Sequence, residues 1–121
     1  MTSIHSISDA ELEVIQVLWR EKRPMKISDV LESLSGTGWK YNTVGTLLLR
    51  MEAKGAVSSS KDGRNIVYTP VLCEEEYKIN RTRSLVEKLY NGSVKDLAVS
   101  LFKSNEMSEE DIEEIKKMFN L

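Results

Sequence analysis

Residues 42–69 read NTVGTLLLRMEAKGAVSSSKDGRNIVYT, a helix, its stop and a hairpin in one run. Val44, Leu47, Leu48 and Met51 recur at helical spacing and make one apolar stripe. The spacing predicts a helix from Asn42 to Lys54, ended by Gly55 as a left-handed stop. At 100° per residue its opposite face carries Asn42, Thr46, Leu49 and Ala53, flanked by Thr43, Gly45 and Arg50. Beyond Gly55, the β-prone runs 56–60 and 65–69 flank Lys61-Asp62-Gly63-Arg64. Asp-Gly between such runs predicts a hairpin closed by Pro70, with Lys61 and Arg64 at its tip.

Upstream, two further helices are predicted. Ser8-Asp9-Ala10-Glu11 has capping-box spacing, with Ile7 and Leu12 placed as a hydrophobic staple. Leu12, Ile15, Leu18 and Trp19 continue the stripe, and Trp19 reads as a core residue. Residues 20–24 read as a connection. Ile27, Val30, Leu31 and Leu34 mark a short second helix, followed by the flexible turn Ser35-Gly36-Thr37-Gly38. Three helices and then a hairpin is the element order of a winged helix-turn-helix. The expected fold is therefore mainly α with a small β-hairpin wing.

Downstream, three more helices are expected. The first runs from Cys73 to Tyr90, with Glu74, Glu75 and Glu76 at its positive end, and Asn91-Gly92 stops it. Val94, Leu97, Leu101 and Phe102 mark the second. Ser108 to Asp111 cap the third, whose stripe is Ile112, Ile115 and Phe119. A 72-residue winged helix cannot cover these faces, and some fifty residues of short helices make a weak core alone. The expected organisation is a winged-helix domain over 1–72 and a helical dimerisation domain over 73–121. Ile79, Val86, Leu89, Tyr90, Leu97, Leu101, Ile112, Ile115 and Phe119 are the candidate dimer contacts. A three-helix cap closed within one chain is the competing arrangement.

Composition narrows the chemistry. The chain has 121 residues, a net charge of −2, one cysteine and one histidine. A disulfide within the chain and zinc sites built from His and Cys are excluded. No metal or cofactor is expected. No apolar run exceeds three residues, as in Leu47-Leu48-Leu49, so no direct membrane insertion is expected. The opening Met1-Thr2-Ser3-Ile4-His5-Ser6 lacks a basic then apolar leader, which predicts a cytoplasmic protein. His5 falls in a terminus expected to fray. Cys73 is followed by three acids and reads as a helix-start residue, not a nucleophile. The acidic run 109–114 lacks calcium-loop spacing and reads as a solvated face. A small hydrolase using Cys73 or a serine is the enzymatic alternative, and a non-enzyme is expected.

Charge is not evenly spread. Residues 38–72 carry Lys40, Arg50, Lys54, Lys61 and Arg64 against Glu52 and Asp62 alone. A helix entering the major groove needs small polar side chains toward base edges and cations at its margins. Asn42, Thr43 and Thr46 supply the first, and Lys40, Arg50, Lys61 and Arg64 supply the second. Leu49 suits a thymine methyl. Double-stranded DNA is thus the expected partner. A winged helix used for protein–protein contact, without an operator, is the alternative.

The chain also resembles the penicillinase-repressor family of winged-helix transcriptional repressors. The resemblance rests on Ile7-Ser8-Asp9-Ala10-Glu11-Leu12-Glu13-Val14 with Trp19, on residues 39–51 with Lys54-Gly55, and on Met107 to Ile115. It runs over nearly the whole chain in order. It implies a dimeric repressor on an inverted-repeat operator of a β-lactamase or other resistance gene. It also implies induction through a membrane sensor and protease pathway, ending in cleavage within the dimerisation region. The bond matching the Asn-Phe cut of the methicillin-type repressors lies at Ser100 and Leu101. The family usually has a basic or polar residue where this chain has Gly45, a departure that bears on the operator sequence. Paired C-terminal cysteines, the mark of the copper-responsive branch, are absent.

Overall fold

In the computed structural model, residues 7–118 are described; His5 and Phe119 lie outside them. The element order is α1 (Asp9–Glu21), α2 (Ile27–Ser33), a 3₁₀ turn (Ser35–Thr37), α3 (Tyr41–Ala53), β1 (Val57–Asp62), β2 (Asn65–Pro70), α4 (Glu74–Tyr90), α5 (Val94–Lys103) and α6 (Glu109–Met118). This is the mainly helical, hairpin-bearing architecture that the apolar spacing predicts.

Local chemistry sets the boundaries. At α1 the capping box is complete: Ser8 N donates to Glu11 Oε1 at 2.9 Å, and Glu11 N donates to Ser8 Oγ at 3.1 Å. Ile7 is buried and Leu12 half-buried in the same apolar cluster. The end of α3 is a Schellman turn. Ala56 N donates to Met51 O at 2.8 Å and Gly55 N to Glu52 O at 3.0 Å, with Gly55 at φ +81°. That conformation costs glycine little and a β-carbon-bearing residue much more.

The hairpin forms one residue further along than the Asp-Gly signal suggests. Asp62 pairs with Asn65, so the two-residue loop is Gly63-Arg64. Gly63 takes φ +64°, as the first central position of a primed hairpin turn demands. Lys61 therefore belongs to β1, opposite Ile66, while Arg64 sits in the turn itself. Pro70 ends β2 in register with Val57. Met25, just before α2, makes a single antiparallel bridge to β2: Met25 N donates to Tyr68 O at 3.0 Å, and Tyr68 N to Met25 O at 2.8 Å.

The chain divides into two compact units, 1–78 and 79–121. The first holds the entire buried core cluster, built from α1, α2, α3, the hairpin and the start of α4. Trp19 is a core residue: it is buried, its Nε1 donates to Leu72 O at 2.9 Å, and its ring lies 5.9 Å from that of Tyr77. Tyr77 thereby ties the first turn of α4 to this unit. Cys73 stands just ahead of α4, its carbonyl accepting from Tyr77 N at 2.9 Å.

The second unit differs. Its helices are well capped: Ser93 Oγ accepts from Asp96 N at 3.1 Å, and Ser108 and Asp111 form a reciprocal box at 3.0 and 3.3 Å. Yet among its described residues only Val86 is buried, and α4 meets α5 through the Tyr90 hydroxyl, which donates to Ser100 Oγ at 3.1 Å. Ile79, Leu85, Leu89, Val94, Leu101 and Phe102 are exposed. No candidate membrane span occurs among the described residues.

Candidate nucleic-acid interface

The third helix is held by its apolar stripe. Val44, Leu47, Leu48 and Met51 are buried against the first unit's core. This fixes the outward face: Asn42, Thr43, Thr46, Leu49 and Arg50 are all exposed, Leu49 by 59%. Lys40 precedes the helix in extended conformation, is exposed, and offers no side-chain cap to the first amides. Those amides form the positive end of the α3 dipole, beside the polar side chains.

Two features of this face differ from the sequence expectation. Gly45 does not flank the exposed face; it is buried where α2 crosses α3, and a β-carbon there would lie 3.4 Å from Ile27 Cδ1. The helical wheel sees only one helix and not the neighbour laid across it. Tyr41 joins the face because α3 starts one residue earlier than the spacing predicts. It is the first residue of α3 and 54% exposed. Its exposure depends on where α3 begins, which the apolar stripe does not fix.

Gly45→Ala should stabilise the first unit. The added methyl meets only the end of a flexible side chain at ordinary contact distance, and glycine inside a helix costs about 0.5–1 kcal/mol relative to alanine. Thermal unfolding should show a midpoint raised by a few degrees. A lowered midpoint would show that Ile27 cannot accommodate the methyl.

The wing carries the second group of candidates. Lys61 and Arg64 are exposed near its tip, and Ile66 beside Lys61 is also exposed. At its base, Ser59 Oγ donates to the Glu52 carboxylate of α3, linking wing and helix. Tyr68 is buried on the same strand pair. Burial raises its phenol above the ordinary value of 10, and the nearby Glu52 and Tyr41 add to the shift.

A buried ion pair anchors the far end of α3. Glu11 on α1 is only 1% exposed, and its Oε1 accepts from Lys54 Nζ at 2.6 Å as well as from Ser8 N. Burial pushes the Glu11 carboxyl up, but the Lys54 ammonium and the Ser8 hydrogen bonds outweigh it, and the net shift is downward. The capping box was legible in sequence. The pairing with Lys54, 43 residues away, was not.

The candidate dimer residues are dispersed over the second unit. Val86 is buried; Tyr90, Leu97, Ile112 and Ile115 are half-buried; Ile79, Leu89 and Leu101 are exposed, Leu89 by 70%. Ser100 lies within α5, its Oγ accepting from Tyr90 Oη at 3.1 Å, and Leu101 follows it in the same helix. Cys73 is an exposed free cysteine. No group of three potential metal-ligating side chains occurs among the described residues.

The profile of the penicillinase repressor family matches residues 7–120. The penicillinase repressor of Bacillus licheniformis is 36% identical over 116 residues, covering 95% of this chain and 90% of its own. The methicillin resistance regulatory protein MecI of Mammaliicoccus sciuri is 26% identical, covering 96% and 94%. Among solved structures, the DNA-binding domain of the repressor BlaI matches at 44% identity with a TM-score of 0.53, over 64% of this chain and 94% of that one. The monomeric form of Bacillus licheniformis BlaI, solved in complex with the blaP half-operator, matches equally, with the same coverage.

Proposed function

The chain belongs to the penicillinase repressor family and is a transcriptional repressor, and we propose that it binds an inverted-repeat operator as a homodimer in the cytoplasm. The observation that carries this reading is the outward face of α3. Asn42, Thr43 and Thr46 project together from a helix whose other side is locked into a core. Such a helix enters the major groove with its hydrogen-bonding side chains toward base edges. Leu49 meets a thymine methyl, and its exposure then has a use. Lys40, Arg50, Lys61 and Arg64 hold phosphates, with the wing reaching the backbone or minor groove beside the helix.

The dimer rests on the second unit. Among its described residues only Val86 is buried, and a second copy supplies the missing cover. Interfaces of this obligate kind bury about 2,000 Å² or more. The regulated gene is a β-lactamase or another resistance determinant. Induction runs from a membrane sensor to proteolysis at Ser100–Leu101. That bond lies inside α5, so a protease needs local opening of the helix first. Cleavage is then coupled to loss of the dimer, and the resting repressor is protected.

Substitutions separate phosphate holding from base reading. Alanine at Arg50, Lys61 or Arg64 should weaken binding to all duplexes alike and flatten the salt dependence by about two charges per dimer. Asn42→Ala or Thr46→Ala should cost about 1–3 kcal/mol against the correct site and relax sequence preference. Fluorescence anisotropy titrations over a salt series test both. If the wing variants alter specificity and the helix variants do not, the roles are wrongly assigned. If the unchanged chain shows no preference among duplexes, the operator reading itself fails and a protein-contact winged helix takes its place.

A further inference from the structure

We infer that Tyr41 is an uncharged phosphate-holding residue of the DNA interface: its hydroxyl donates to the backbone at the groove wall beside α3. This rests on the DNA-binding reading and adds a contact that carries affinity without sequence preference. Tyr41, the first residue of α3, is 54% exposed. By helical turns it heads the row Tyr41, Gly45, Leu48 and Glu52. The neighbours of that row fix its direction. Gly45 packs toward Ile27 of α2, Leu48 is buried, and half-buried Glu52 accepts from Ser59 Oγ of β1. The row therefore runs along the margin of α3 toward α2 and the wing, and Tyr41 is its exposed end. There it lies close enough to the buried Tyr68 of β2 to act on that phenol.

Tyr41 stands about 100° round the helix from Asn42, off the outward row of Asn42, Thr46 and Leu49. When a helix lies in the major groove, its outward row meets the base edges and its margins meet the walls, which are phosphate strands. Helical side chains lean toward the N-terminus, so the phenol projects past the start of α3, where exposed Lys40 also stands. A phenol O–H so placed can donate to a phosphate oxygen. Within the protein this hydroxyl takes part in no hydrogen bond among the described residues. A neutral donor holds a phosphate without neutralising it, so it releases no counterion, unlike Arg50, Lys61 or Arg64. The contact thus has a signature distinct from both the cations and the base-reading side chains.

Full-length Tyr41→Phe and Tyr41→Arg test this. Each is titrated over a salt series against two duplexes: one selected by the unchanged chain from a random pool, and a scrambled one of the same composition. Tyr41→Phe should weaken binding to both by the same factor, about tenfold for the two contacts of a dimer, with the salt slope unchanged. Tyr41→Arg should recover that loss at low salt and steepen the slope by about two charges per dimer. Thermal midpoints of both variants should stay within a few degrees of the unchanged chain, because the side chain is mostly exposed. Unaltered binding by Tyr41→Phe overturns the proposal. So does a loss confined to the selected duplex, the mark of base reading, or a loss accompanied by a fallen midpoint, the mark of a prop for Tyr68. A Tyr41→Arg slope no steeper than that of the unchanged chain overturns it as well. If the unchanged chain binds no duplex at all, the DNA reading itself fails, and this contact with it.

Discussion

A repressor ending at Val99 should bind its operator about 10²–10⁴-fold more weakly than the full chain, while its winged-helix unit melts as before. The expectation follows from linkage. A dimer on an inverted repeat delivers its second reading helix at an effective concentration set by the connection between the two halves. Truncation at Val99 removes the end of α5 and all of α6 without touching the core cluster, which ends at Tyr77. Every base contact proposed for α3 should survive, with only the proposed link between half-sites lost. Each chain should then retain half-site binding, with one chain per half-site at saturation. This is how cleavage at Ser100–Leu101 would release a promoter without altering a single reading residue. Near-normal affinity of the truncated chain for the complete operator would refute induction by loss of the dimer.

Lys54→Ala should destabilise the winged-helix unit by about 3–5 kcal/mol at neutral pH, a large share of the margin by which a small domain is folded. The size comes from what is left behind. Glu11 is almost wholly enclosed, its Oε2 has no hydrogen-bond partner, and Lys54 is the cation beside it. Replacing both partners, Glu11→Leu with Lys54→Met, should recover much of the loss, because no buried charge remains. The pH dependence has a definite sign. The folded Glu11 carboxyl lies below its ordinary value of 4.5, so its contribution is present above that pH and disappears as pH falls through the folded value. In Lys54→Ala only burial and the Ser8 bonds remain, and acidification neutralises the stranded carboxylate. The stability gap between the two proteins should therefore narrow as pH falls toward the folded Glu11 value of the unchanged chain. Urea unfolding at pH 7 and pH 4 measures it. A cost under about 1 kcal/mol at pH 7 would place the pair among exposed ion pairs of little consequence.

What could be read from sequence was whatever is encoded within a few residues. The Ser8–Glu11 box, the α3 stripe and the Gly55 stop are local chemistry, and each forms with the expected partners. The exposed set Asn42, Thr43, Thr46, Leu49 and Arg50 followed from the same periodicity. The hairpin was legible but its turn was displaced, because Gly63 supplies the positive φ at the first loop position and draws Asp62 into the ladder. Long-range features were not legible. The Met25–Tyr68 bridge, the Glu11–Lys54 pair and the Ser59–Glu52 link join segments whose spacing carries no periodic signal. Gly45 shows the same limit from the other side, since its burial is decided by Ile27 on another helix. In the second unit the sequence marked apolar faces, and a single copy leaves most of them uncovered.

The most direct test of a two-fold symmetric DNA reader is selection of binding sites by the full-length chain from a pool of random-sequence duplexes. A dimer presenting two α3 helices should enrich an inverted repeat whose half-sites are centred about one helical turn, or a multiple of it, apart. Enrichment of a single unpaired half-site, or of no sequence at all, would contradict the account.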